Sequence, residues 1–126
     1  MSAARVVACG ASGVDEKQAD WAPLDPGHEP STGARLAVLG GADGVTVLLV
    51  ELEPGGFIAE HTTPEAAICH VVEGNGTVFL PDGAELPFER GDTIEFAGDV
   101  SHGWRGGSGR TLLAVTVYAD ETEAGE

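Results

Sequence analysis

Positive charge is scarce in this chain: 6 Lys and Arg stand against 21 Asp and Glu, a formal charge of −15. Phosphate backbones and anionic lipid headgroups are repelled by such a surface, so neither nucleic acid nor a membrane is an expected partner. The acidity serves solubility. Cysteine is equally sparse, with only Cys9 and Cys69, too few for a disulfide framework, and nothing demands an oxidising compartment. Val6-Val7-Ala8-Cys9 loosely resembles a lipoprotein cleavage box, but a signal peptide needs an apolar stretch of about 7–15 residues before it. Export is therefore not expected, and the cytoplasm is. Long apolar runs are missing too. Leu48-Leu49-Val50 lies inside a segment of strand length, far short of the ~20 residues that span a bilayer.

What the chain has in quantity is turn formers. Its 19 Gly and 7 Pro recur at short intervals among 42% hydrophobic residues, a pattern of many short strands and tight turns. With 126 residues it can enclose one continuous core, hence one domain. Strands are expected over Ala34 to Leu39 and Val45 to Glu53, around the turn Gly40-Gly41-Ala42-Asp43-Gly44. Pro54-Gly55-Gly56 then breaks the pattern. Further strands are expected over 67–73, 77–80, 84–88, 93–96, 101–105 and 111–118, with Gly74-Asn75-Gly76 and Asp82-Gly83 as turns. The fold class is thus all-β, either a sandwich or a barrel. Residues 1–33 read as an irregular N-terminal arm anchored by Trp21, residues 34–118 as the barrel and residues 119–126 as an acidic tail.

Two stretches choose between sandwich and barrel. Pro54-Gly55-Gly56, His61, Thr63 and Val71-Val72-Glu73-Gly74-Asn75-Gly76 form the first; Gly91-Asp92-Thr93-Ile94-Glu95-Phe96 and Ser101-His102-Gly103-Trp104 form the second. Together, over residues 54–106, they resemble the paired motifs of the cupin superfamily, G-x5-H-x-H-x3-4-E-x6-G and G-x5-P-x-G-x2-H-x3-N. Gly55, His61 and Gly74 match the first motif, and Gly91 and His102 match the second. Thr63 stands where the second His belongs and Ala67 where the Glu belongs. Ala97, Asp99 and Gly106 replace the Pro, Gly and Asn. The resemblance implies a small antiparallel β-barrel, or jelly roll, whose mouth carries His61 and His102.

Cupins commonly hold one divalent transition metal (Fe, Zn, Mn, Ni or Cu) through three His and one Glu, because imidazole and carboxylate suit such ions. Here half of that set remains. Strand alternation that points position 67 inward also points Cys69 and Val71 inward, and Ile68, His70 and Val72 outward. Cys69 is therefore one candidate for a third metal ligand beside His61 and His102, and Glu65 is another. A buried Cys is also an ordinary small core residue, and a metal-free site is the alternative. Phe57 and Trp104 are candidate substrate contacts, although aromatics in small barrels often serve the core. Thr63 is a candidate to bond substrate or water. His70 and His28 are not expected in the site, and Asp92 is expected to bond its own backbone.

The resemblance implies an oxygenase, isomerase or cyclase that works on a small organic molecule in the lumen with a metal, in which His61, His102 and Thr63 carry the catalysis. The alternative is a metal-free cupin that binds or senses a small ligand. A homodimer is implied by analogy with other cupins.

Overall fold

A computed structural model of the chain describes residues 5–24 and 31–119; His28 and residues 120–126 of the acidic tail lie outside them. The strands are β1 (Arg5–Gly10), β2 (Gly13–Gln18), β3 (Trp21–Pro23), β4 (Thr32–Ala42), β5 (Val45–His61), β6 (Ala66–Glu73), β7 (Asn75–Phe79), β8 (Glu85–Glu89), β9 (Thr93–Phe96), β10 (His102–Gly106) and β11 (Thr111–Tyr118). A single 3-10 turn at Pro81–Gly83 separates β7 from β8. The main sheet runs β8-β7-β10-β5-β11-β6-β9, with β4 also on β5 and β3 on β4. Every pairing is antiparallel. The sheet curls into the expected jelly-roll barrel, and β9 and β11 carry the bounds expected from the sequence.

Two segments differ most from expectation. Pro54-Gly55-Gly56 does not end a strand: β5 continues through it, pairing with β4 and β11 over its first half and with β10 over its second, where β4 keeps only Thr32↔Phe57. Gly55 makes the corner with φ of 72°. A Cβ on Gly56 would stand 2.6 Å from the carbonyl oxygen of Gly33, so the corner also needs a residue without a side chain. The N-terminal arm is the second difference. Its Gly, Ser and Asp content suggested irregular chain, yet β1 and β2 form a hairpin in register from Arg5↔Gln18 to Gly10↔Gly13. That hairpin is a separate two-stranded sheet. Cross-strand pairing has overridden weak local propensity there. Trp21 does anchor the arm, since β3 pairs with β4 through Trp21↔Ala37 and the Arg35 guanidinium lies 4.3 Å above the indole ring.

Alternation places the core. Along β11, Thr111, Leu113 and Val115 are buried while Leu112, Ala114 and Thr116 are only partly so. Leu113 and Val115 meet Val50, Leu52, Cys69 and Val71 inside the barrel. Removing a Leu side chain of this kind from water stabilises by about 2–3 kcal/mol. On the opposite face, Glu51 sits between these core positions of β5, and the Glu51 carboxylate receives Arg35 Nε and Arg110 Nε while Arg110 Nη1 bonds Glu73. This network floors a cavity of about 600 Å3 under β3, lined also by Trp21, Glu53 and Pro54.

Candidate functional site

His61 ends β5 and His102 begins β10, and the two residues are directly paired across the strands. Their rings lie 4.8 Å apart between centroids, tilted by 57°. Simple alternation would not allow this. Trp104 pairs with Ile58, so β5 has three steps from Ile58 to His61 where β10 has two from Trp104 to His102. The extra residue is a β-bulge, which turns His61 onto the same face as Ile58 and brings it beside His102. Gly103 lies opposite the bulge, so close that a Cβ there would meet the Ile58 carbonyl oxygen at 2.8 Å and the Glu60 nitrogen at 3.0 Å.

Each imidazole is oriented from behind by the backbone carbonyl two residues before it. His61 Nδ1 lies 2.9 Å from the Ala59 carbonyl oxygen, and His102 Nδ1 lies 2.9 Å from the Val100 carbonyl oxygen. Burial pushes the His102 pKa below the ordinary histidine value, assisted by the neighbouring His61 and partly opposed by the bond to Val100. His102 therefore favours the neutral ring. The loop and turn that deliver the pair are tied together by Asp99 N–H, which donates to the Thr63 carbonyl at 2.8 Å.

The other expected site residues are distributed differently. Ala67, Cys69 and Val71 face inward as alternation predicts, and His70 is exposed with Nδ1 at 2.9 Å from Thr93 Oγ1. Cys69 lies in the apolar core between its strand neighbours Ile94 and Val115, and burial pushes its thiol up to about 12. A neutral thiol in that setting packs as a small core residue. Glu65 is exposed in the β5–β6 loop, where Thr63 Oγ1 bonds its backbone carbonyl. Among the described residues no three His, Cys, Asp or Glu converge on a common point. Two imidazole nitrogens alone do not fit a firmly held divalent ion.

Phe57 departs most from expectation. Its neighbour Ile58 faces the core, so Phe57 faces out, where the Arg105 guanidinium lies 5.2 Å from its ring and 5.3 Å from that of Phe79. It packs on the outer surface. Trp104 is buried, edge-on to Phe88 at 5.4 Å and to Phe96 at 5.9 Å, and so belongs to the core wall behind the pair. Asp92 bonds backbone as expected, its carboxylate receiving the Glu89 N–H at 2.9 Å.

Phe96 is the residue that sequence reading missed. Its ring stacks on His102 with centroids 4.0 Å apart and planes within 11°. The available signal was its parity with Ile94, which puts it on the inward face of β9 opposite Ala67. The Glu51 network was also missed; its signal is a charged residue inside the apolar run Val47 to Leu52.

The barrel fold agrees with what known proteins show. No curated protein shows significant sequence similarity to the chain. Solved structures match its fold at low identity. KdgF from a Halomonas species is 18% identical over 83% of this chain and 92% of that one, with a TM-score of 0.67. The polyketide cyclase RemF from Streptomyces resistomycificus is 24% identical over 72% of this chain and 69% of its own, with a TM-score of 0.65. A cupin-2 domain protein of Rhodospirillum rubrum is 18% identical over 80% of this chain and 70% of its own, with a TM-score of 0.68. The Cupin_2 family model, described as the cupin domain, matches residues 48–118, a stretch that includes both histidines and the bulge between them. The chain therefore belongs to the cupin family.

Proposed function

We propose that this cupin binds a small organic molecule at the barrel mouth, and that His61 and His102 act on it as an imidazole pair that accepts and returns a proton. One observation carries the reading: the two rings pack side by side at 4.8 Å, each with Nδ1 bonded to a backbone carbonyl. A carbonyl oxygen only accepts hydrogen bonds, so in the neutral rings Nδ1 carries the hydrogen and Nε2 presents a lone pair. Such a pair is a Brønsted base with a second base beside it, suited to moving a proton between oxygen and carbon of a bound substrate. The likeness to a polyketide cyclase supports this class of activity by analogy.

The test is a thermal-shift screen of small hydroxy and oxo compounds against chelator-treated protein, repeated with His61→Ala and His102→Ala. Hits that stabilise the wild-type protein and lose their effect in both variants support the reading. Hits that bind the double variant equally well overturn it.

A metal-assisted cupin is the second reading. It is favoured by the same Nδ1 to carbonyl bonds, since metal-bound histidines use such partners to fix their tautomer. Elemental analysis after reconstitution separates the two: retention below about 0.1 equivalent removes this reading, and stoichiometric retention replaces the first with it. We also infer a homodimer. The hairpin of β1 and β2, with Val7 and Val14 exposed, together with the exposed Val38 of β4 and Val45 of β5, offers apolar surface for self-association. Light scattering tests it. Among the described residues no helix is long and apolar enough to cross a membrane.

A further inference from the structure

We infer that the His61–His102 pair is built to receive a hydroxyl hydrogen, so that its ligand is a neutral enol or phenol rather than a carboxylate, with Phe96 as the positioning residue that holds the His102 ring. This rests on the reading of the pair as the binding site and specifies the ligand chemistry that the site admits.

The ring orientations decide the polarity. Both Nδ1 atoms are committed to carbonyl oxygens, at 2.9 Å in each case, so in its neutral form each ring presents a lone pair and no donor at Nε2. Neighbouring lone pairs welcome an O–H and repel a carboxylate oxygen. The formal charge of −15 adds a long-range repulsion of anions.

Phe96 decides the direction of approach. Stacked 4.0 Å from His102 and nearly parallel to it, the ring covers one face of the imidazole, so a ligand must approach by another side. Phe96 is itself braced edge-on by Trp104, and Trp104 by Phe88. Across the β6–β9 ladder its partner is Ala67, whose side chain ends at Cβ. A longer side chain at 67 would compete with the Phe96 ring for the inward space between these strands. Stacking and the Val100 carbonyl together fix both the plane and the tautomer of His102.

Phenol and benzoate are matched probes of similar size. At about pH 8 phenol keeps its proton while benzoate has lost its own. Each is titrated into the full chain while the Hε1 resonances of His61 and His102 are followed. Phenol is expected to shift both resonances saturably and to bind at least about tenfold tighter than benzoate, a difference of about 1.4 kcal/mol. Benzoate that moves the same resonances with equal or higher affinity overturns the hydroxyl preference while leaving the pair as a binding site. Failure of both probes to perturb either histidine overturns both readings. Phe96→Leu is expected to weaken phenol several-fold and to displace the His102 resonance, and Phe96→Tyr to restore both. A Phe96→Leu protein that binds phenol as the wild type does removes Phe96 from the site. The phenol and benzoate comparison is made on the wild-type chain and does not depend on the folding of any variant.

Discussion

A methyl group on Gly103 would stand 2.8 Å from the carbonyl oxygen of Ile58, inside the van der Waals limit and against backbone that has no rotamer by which to yield. The close approach exists because the bulge between Ile58 and His61 folds its extra residue toward β10, and the same bulge sets His61 beside His102. Gly103→Ala is therefore expected to cost about 1–3 kcal/mol, the range for overpacking a tight site. It should also shift the His61 and His102 resonances in a protein that still folds. Urea denaturation and histidine NMR check the two effects; an unchanged pair in a destabilised protein would separate the bulge from the site.

The bulge also marks where sequence reading reached its limit. Alternation along a strand is local, so the inward set Ala67, Cys69 and Val71 was legible, as were β9 and β11. An inserted residue changes parity for every position after it and leaves no mark in composition. Phe57 is a candidate substrate contact by its nearness to His61 in sequence, and nearness does not fix which face of β5 a ring takes. Phe96 was hidden for another reason: its contact with His102 joins β9 to β10 through the barrel interior, and a sequence carries no direct record of such a contact. The motif spacing did place both histidines, because each lies at a strand end fixed by nearby turns.

The burial of His102 has a consequence for pH. Its folded-state pKa lies below the unfolded value of about 6.5, so in the window between the two the unfolded chain binds more protons. The stability associated with the neutral ring is complete above the unfolded pKa and declines as pH falls through the folded one. Denaturation measured between about pH 8 and pH 5 should show wild-type stability falling more steeply than that of His102→Gln, which has no proton to bind. Parallel slopes would show that the ring is not held in a desolvated site.

The two thiols should differ sharply in reactivity. Cys9 is exposed on β1, whereas Cys69 is buried and its pKa is raised to about 12. Only the thiolate attacks a disulfide reagent, and access limits it further. With Ellman's reagent the native chain should release one equivalent quickly, and the second only on unfolding. Cys9→Ser should abolish the fast phase and leave the slow one. Rapid labelling of Cys69 in that variant would mean that β6 opens readily, and would revive its candidacy as a reactive group in the lumen.

Glu51 offers the sharpest test of the outer face. Its side chain is 10% exposed and takes both Arg35 and Arg110, whose side chains are 29% and 35% exposed. Removing the carboxylate leaves two guanidinium groups crowded together without the charge between them, and breaking a fully buried pair costs about 3–5 kcal/mol. Because both arginines reach solvent, Glu51→Ala should cost less, about 2 kcal/mol. Arg35→Met in the same background should restore part of the loss by removing one of the two repelling charges. It also removes the cation stacked on Trp21, so restoration should be incomplete. A double-mutant cycle in urea separates the terms; strict additivity of Glu51→Ala and Arg35→Met would show that the Glu51–Arg35 contact contributes no coupling.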